Sequence, residues 1–194
     1  KFKIFREALN RKIINVPIMK TNFQLGISGA QENLSRMVDE KTQRDIYFGD
    51  IEDTLPKLIK VLPNVFTIAD ATNGMQGQGP LALGEPAFLN LVLAGSNAAF
   101  IDATFCGIAM IETSSILIKN VEIVGNELDS LKYPLKPANP HDTPHPDIKV
   151  IDGKACPACL NLMYSLTSKL IGLRGNEINL VMGPILTEGM LKGK

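Results

Sequence analysis

The chain has 194 residues, of which 45% are hydrophobic and 21% charged, and its 20 basic side chains are balanced by 20 acidic ones. This length suits one domain whose core needs no metal or disulfide staples. The even charge, without a basic stripe, argues against a nucleic-acid partner. No apolar run is long enough to span a bilayer, so we expect no membrane partner.

The three cysteines are too few for a disulfide framework and indicate a reducing, cytoplasmic compartment. The chain begins at Lys1 without Met. We therefore expect a single α/β domain over residues 1–194 that is a fragment of a longer protein, with a homodimer as its possible assembly.

The first part of the chain alternates between helical and extended patterns. Pro56 is interpreted as a first-turn position of its helix. The predicted elements are a helix over 1–10, a strand over 12–18, a loop over 20–29, a helix over 30–38, a charged turn over 39–44, a helix over 50–61, a strand over 64–69 and a loop over 70–86.

The second part continues this alternation and contains one long, proline-rich loop. Its predicted elements are a strand over 88–94, a helix from Ser96 or Asn97 to 111, a short helix over 113–119, a strand over 121–124, the loop over 126–147, a strand over 148–151, a helix over 156–171 and a strand over 177–182. Short, continuously apolar strands between helices predict an α/β fold, with a mainly parallel or mixed sheet and helices on both faces.

The best-defined chemical feature is the pair Cys156 and Cys159, spaced C-x-x-C at the predicted start of a helix. Thiolates are stabilised at a helix N-terminus, and two at this spacing can form a disulfide or share a metal ion. The structural alternative is two buried, small apolar side chains. A thioredoxin fold is disfavoured because Pro184 follows the last strand instead of preceding it.

The sequence allows two kinds of metal site that contain this pair. A zinc site needs four ligands, which His141 and His145 would complete, although a surface loop is the favoured interpretation of these histidines. An iron–sulfur cluster needs four thiolates, so two subunits would each have to supply the pair.

A glycine-rich segment runs from Asp70 through Gly74, Gly77 and Gly79 to Pro80. It follows a predicted strand, at the edge where open α/β sheets bind ligands, and its amides could bind an anion or nucleotide. The structural alternative is a wide turn that needs positive φ angles.

A second set of polar residues comprises Lys20, Asn33 and Asp102. Asp102 stands in an otherwise apolar helix, and a buried carboxylate needs a partner. A Lys20–Asp102 pair or a Lys20–Asp70 pair would provide one.

These segments together resemble the family of unknown function known as DUF362. The matching stretches lie in the first two thirds of the chain, at 15–21, 26–34, 68–84, 93–102 and 121–125. The family usually has His where Asn22 stands, and Lys is common at the position of Glu32. The resemblance implies no settled activity. Some members carry a ferredoxin-like module, which suggests iron–sulfur or redox chemistry with a ferredoxin-like or other redox partner.

The leading hypothesis is a redox-active or metal-binding protein in which Cys156 attacks and Cys159 resolves. Its second site would contain Lys20, Asp70 and Asp102 as catalytic residues, with Asn33 and the three glycines binding a ligand. The alternatives are a small-anion or nucleotide-binding module with structural cysteines, and a non-catalytic interaction domain.

Overall fold

A computed structural model describes residues 2–22, 24–80, 83–112, 122–139, 147–155, 159, 162–163, 166–167, 177–184 and 187. Within these ranges, none of the helices combines the length and hydrophobicity that crossing a bilayer requires.

Within the described residues, five α-helices and eight strands have defined bounds. The helices are α1 (Arg6–Asn10), α2 (Ala30–Leu34), α3 (Glu40–Phe48), α4 (Ile51–Ile59) and α5 (Ala98–Ala109). The strands are β1 (Ile13–Asn15), β2 (Ile18–Asn22), β3 (Gly26–Ser28), β4 (Val65–Gln78), β5 (Leu83–Ala87), β6 (Leu91–Gly95), β7 (Ile148–Asp152) and β8 (Ile178–Met182).

The long strand β4 organises the larger, six-stranded sheet. Strands β1 and β2 follow one another along one side of β4, both parallel to it. Strands β6 and β5 line its other side, both antiparallel, and β3 pairs antiparallel with β2. The sheet is therefore mixed, and the predicted α/β class is confirmed.

Three segments predicted as loops or turns are regular structure instead. Residues 20–29 contain the β2–β3 hairpin, and 70–86 are the second half of β4 with β5. These predictions were wrong because polar and glycine-rich segments gain sheet hydrogen bonds from neighbours that the local sequence does not show. The charged turn over 39–44 is also wrong, because Asp39 accepts a hydrogen bond from the Thr42 amide at 2.8 Å and begins α3.

The other helices follow the predictions more closely. Asn97 begins α5 by accepting hydrogen bonds from the amides of Ala99 and Phe100 at 3.0 and 3.3 Å. The first helix is shorter than predicted and covers only five residues. Pro56 lies in the second turn of α4 rather than the first, and its carbonyl still accepts the next bond, from the Lys60 amide.

The main core lies between the sheet and helices α2 and α5, with Met19, Leu34, Ala69 and Phe105 among its buried members. A second cluster joins α3 and α4 to the rest through Leu25 and other side chains. The sheet face opposite α2 and α5 carries apolar side chains that stay exposed in the described part of the chain.

The smaller sheet consists of β7 and β8, which pair in parallel, as their predicted connection through a helix requires. Residues 159, 162–163 and 166–167 are helical, in agreement with the predicted helix over 156–171. Within 126–147 the structure describes one 3₁₀ turn, at Leu128–Leu131. Residues 122–124, predicted as part of a strand, belong to no strand or helix, so this prediction was wrong. The predicted helix over 113–119, residue 121 and both histidines lie outside the described residues.

Candidate functional site

The carboxylate of Asp102 links helix α5 to the start of α2. The Asp102 side chain is buried, with 2% of the residue exposed. Its Oδ1 accepts a hydrogen bond from the Ala30 amide at 2.6 Å, and its Oδ2 accepts one from the Gln31 amide at 2.9 Å. Amides in the first turn of a helix have no acceptor within that helix. Asp102 therefore supplies from another helix the cap that α2 lacks locally.

Gly29 makes this arrangement possible. A Cβ atom at Gly29 would overlap Asp102 Oδ1 and would lie 2.7 Å from Met19 Cε. Only glycine therefore lets the carboxylate approach the backbone that leads into α2.

Asn33 and Asn15 form a buried amide network on the same side of the sheet. Asn33 Nδ2 donates to Asn15 Oδ1 at 2.7 Å, and Asn15 Nδ2 donates to the Ala30 carbonyl at 2.9 Å and to Thr67 Oγ1 at 3.2 Å. This network ties α2 to strands β1 and β4. Asn33, predicted as a ligand-binding residue, therefore has its side chain engaged in holding α2 on the sheet.

A cavity opens beside this network and is bounded by α2, α4 and α5. Its enclosed part has a volume of about 20 Å³, enough for one or two water molecules, and the rest of the depression is open to solvent. Among the described lining residues most are apolar, and the polar ones are acidic or amide side chains with no basic residue. The lining residues are Leu25, Ile27, Gln31, Glu32, Ile51, Glu52, Leu55, Pro56 and Asp102.

Burial raises the pKa of Asp102 to about 6. The hydrogen bonds from the Gln31 and Ala30 amides favour the charged form and oppose that rise without cancelling it. Glu32, on the same cavity wall, accepts a hydrogen bond from the Tyr47 hydroxyl. Burial raises the pKa of Tyr47, so this hydroxyl stays protonated and available to donate. A carboxyl group with a shifted pKa in a cavity is a recognised mark of a functional site.

The structure separates Lys20 from Asp102. Met19 points to the side of the sheet where Asp102 lies, since both would contact a Cβ at Gly29. Adjacent residues in a strand point to opposite faces, so Lys20 points to the other face. The partners of Asp102 are backbone amides, and the predicted Lys20–Asp102 pair is wrong.

Asp70 lies in register with Ile18, on the same outer face as Lys20. Its Oδ1 accepts hydrogen bonds from the Thr72 hydroxyl and amide at 2.6 and 2.8 Å, which lower the pKa of Asp70. Among the ion pairs of the described residues, none joins Lys20 to Asp70.

Two glycines, Gly74 in β4 and Gly79 just after it, allow close contacts between backbones. A Cβ at Gly74 would lie 2.8 Å from the Met19 carbonyl oxygen, and one at Gly79 would overlap the Thr21 carbonyl oxygen. Gly77 has a φ of +71°. The amides of Gly77 and Gly79 donate to the carbonyls of Lys136 and Gly77, both at 2.7 Å. These two amides already have acceptors within the protein, and anion binding by the segment stays a prediction.

The segment that carries the cysteine pair follows the carboxyl end of β7. Asp152 Oδ1 accepts a hydrogen bond from the Ala155 amide at 2.7 Å, which closes the turn after this strand. Gly153 donates its amide to the Met182 carbonyl at 2.7 Å, so the ends of β7 and β8 are joined. Cys159 is helical and exposed, whereas Cys156 lies outside the described residues.

Metal binding gains no support from the described part of the chain. No group of three or more His, Cys, Asp or Glu side chains there could hold a metal ion. Cys156, His141 and His145 are outside the described residues. Zinc and iron–sulfur sites therefore stay predictions.

Sequence reasoning missed Gln31, Glu32 and Tyr47 as residues at or beside the cavity. The local signal for Gln31 and Glu32 was weak, because polar residues in the first turn of a short helix are ordinary. Asp102 had a clear signal, a carboxylate among apolar helix positions, although its partners could not be deduced.

A family model described as "Domain of unknown function (DUF362)" matches residues 1–107, which is more than half of the chain. The match includes Gly29, Asn33, Asp70 and Asp102, and it ends before Cys156 and Cys159. Comparison with curated proteins and with solved structures found no match.

Proposed function

Because the chain belongs to the DUF362 family, whose description assigns no activity, we propose a function from its own residues: a cytoplasmic redox or metal-binding protein that acts through Cys156 and Cys159. The observation that carries the proposal is the parallel pairing of β7 and β8, with helical residues between them that include exposed Cys159. Ligand sites of α/β units lie at the carboxyl ends of such strands.

The surroundings of the pair support thiol chemistry. Asp152 and Gly153 hold the turn that leads from β7 into the cysteine segment. Lys154, which is exposed, adds a positive charge two residues before Cys156 and favours a thiolate there. Oxidation would join the two sulfurs and release two protons and two electrons to a ferredoxin-like or other redox partner. Alternatively, the pair would bind one zinc ion together with His141 and His145, or two thiolates from each of two subunits would bind one iron–sulfur cluster.

The test is metal content and the absorbance spectrum of full-length protein purified without oxygen, together with thiol titration before and after oxidation. We expect either bound metal or a reversible loss of two reactive thiols, and Cys156→Ser should abolish both properties. Cys106→Ser is the matched control, because Cys106 is buried in α5 and lies outside the pair. Metal-free protein in which the thiols of the pair stay reduced under oxidation would contradict the proposal.

A second candidate function is supported by the cavity beside Asp102. At its open mouth an aliphatic chain would contact apolar side chains, and the carboxylates among its described lining residues favour a positively charged group. The candidate ligand is therefore a small aliphatic amine in its protonated form. Lys20, Asp70 and the glycine segment would not contribute to this site, because Lys20 and Asp70 lie on the other face of the sheet.

Butylammonium and butanol provide a matched pair of probes for this second function. We expect butylammonium to raise the thermal unfolding temperature of the protein in a saturable way, while butanol of the same size does not. Glu32→Gln should weaken the effect by removing one charge from the cavity wall. An equal response to both probes would rule out recognition of the charge, and no response to butylammonium would rule out the site.

A further inference from the structure

We infer that helices α3 and α4 form a lid, which opens as one unit and admits a ligand to the carboxylate of Asp102. The lid comprises residues 40–59. Four residues of α4 form one wall of the cavity beside Asp102, namely Ile51, Glu52, Leu55 and Pro56. Helices α2 and α5 and the β2–β3 hairpin supply the other walls. The cavity therefore lies at the boundary between the lid and the rest of the protein.

The closed lid keeps anything larger than water away from Asp102. The enclosed part of the cavity holds one or two water molecules, and only 2% of Asp102 is exposed. A four-carbon amine, which represents the ligand class of the second candidate function, is several times larger than a water molecule. Such a ligand reaches Asp102 only after α4 moves away, and for the identity of the ligand this inference rests on that function.

The packing of the lid allows it to move while the main core stays closed. The lid buries four apolar side chains in the smaller cluster, namely Ile46, Ile51, Leu55 and Leu58. Among the described residues, the buried members of the main cluster include none from the lid. Ile59 packs against both clusters, and Leu62, just after α4, is buried in the main one. The end of α4 is therefore the hinge, and opening exposes the smaller cluster alone.

Tyr47 holds the lid closed. Its hydroxyl donates a hydrogen bond to Glu32 and lies 3.2 Å from Ser35 Oγ, and its carbonyl accepts one from Gln24 Nε2 at 3.1 Å. Glu32 also lines the cavity, so the group that fastens the lid is one that a cationic ligand would bind. An ammonium group at Glu32 competes with the Tyr47 hydroxyl and thereby favours the open lid.

The closed lid also carries a polar cost beside Tyr47. Within the described part of the chain, Gln24 Oε1 is buried and accepts no hydrogen bond, although Nε2 of the same amide donates to Tyr47. Buried polar atoms normally have partners, and an acceptor that loses water without gaining a donor destabilises the state that buries it. Opening of the lid would return this oxygen to water, which lowers the free energy of opening.

Hydrogen exchange of the full chain in increasing urea tests the lid without a ligand. We expect the amides of the lid to exchange faster than those of α5 and with a weaker dependence on urea, because local opening exposes less surface than unfolding does. Tyr47→Phe should accelerate exchange in the lid about tenfold or more, since it removes a hydrogen bond to a charged group. Tyr133→Phe, at an exposed tyrosine outside the lid, should leave it unchanged.

Phe105→Leu distinguishes local opening from unfolding of the whole protein. Phe105 is buried in the main cluster, so this variant should accelerate exchange in α5 and leave exchange in the lid unchanged. Lid amides that exchange together with those of α5, with the same urea dependence and the same response to Phe105→Leu, would overturn the inference.

Butylammonium tests whether the ligand opens the lid. We expect it to accelerate exchange in the lid at the concentrations that raise the unfolding temperature, and butanol to have neither effect. A higher unfolding temperature with unchanged or slower exchange in the lid would overturn the inference and leave the second candidate function standing. An unchanged unfolding temperature would refute that function, and the exchange measured without ligand would still decide whether the lid exists.

Discussion

Replacing Gly29 with alanine is expected to destabilise the protein by about 3 kcal/mol or more, the upper part of the range for overpacked cores. The new Cβ would overlap Asp102 Oδ1 and press on the end of the Met19 side chain. Met19 is flexible and can move, but Asp102 is held by two amides at 2.6 and 2.9 Å. Relieving the overlap therefore breaks at least one of these hydrogen bonds.

Gly107→Ala is the matched control for this substitution. Gly107 lies in helix α5, and among the described residues a Cβ there would meet the Leu128 side chain alone, at 3.6 Å. Alanine at this position should stabilise the protein by about 0.5–1 kcal/mol, because it restricts the unfolded chain and suits a helix. Urea unfolding of both variants measures the two changes in stability. If Gly29→Ala is as stable as the wild type, the Asp102 carboxylate does not need the space that Gly29 provides.

Removing the Asp102 carboxylate is expected to have a similarly large effect. Asp102→Ala leaves the buried Ala30 and Gln31 amides without a hydrogen-bond acceptor, at a cost of about 1–3 kcal/mol for each amide. Asp102→Asn keeps the size of the side chain and one carbonyl acceptor, so it should destabilise the protein less than alanine does. Asp129→Asn, at an exposed carboxylate, should change the free energy of unfolding by less than about 0.5 kcal/mol.

The stability of the wild type should also depend on the protonation of Asp102. Its folded-state pKa of about 6 lies above the ordinary value of 3.8, so the folded protein binds this proton more tightly than the unfolded chain does. The contribution of Asp102 to stability is therefore greatest below pH 3.8, decreases as the pH rises to about 6, and is constant above. The decrease is about 3 kcal/mol for a shift of this size.

The pH dependence is measured as the difference in unfolding free energy between wild type and Asp102→Asn at several pH values. Subtracting the variant removes the contribution of the other titrating groups. Between pH 4 and pH 6, we expect the unfolding free energy of the wild type to fall relative to that of the variant, so that the wild type is favoured at low pH. A difference that is constant with pH would show that the pKa of Asp102 is not raised.

The local sequence was enough to predict an element where interactions among its own residues stabilise that element. Asn97 caps α5 as the sequence predicts, and the strands predicted over 148–151 and 177–182 are β7 and β8, at almost the predicted residues. Polar and glycine-rich strands were not predictable, because their stability comes from pairing across β4. Gly74 and Gly79 indicated a loop by composition, whereas they allow close approach of the β2 backbone.

The α/β class, the family and the need of Asp102 for a buried partner could all be predicted from the residues, because a carboxylate in an apolar helix is costly without one. The identity of that partner could not be predicted, because it depends on how the strands and helices pack. Lys20 follows Met19 in strand β2, and the alternation of side chains turns Lys20 to the opposite face of the sheet. The start of α2 then satisfies Asp102 with two amides, and Gly29 provides the space for that contact.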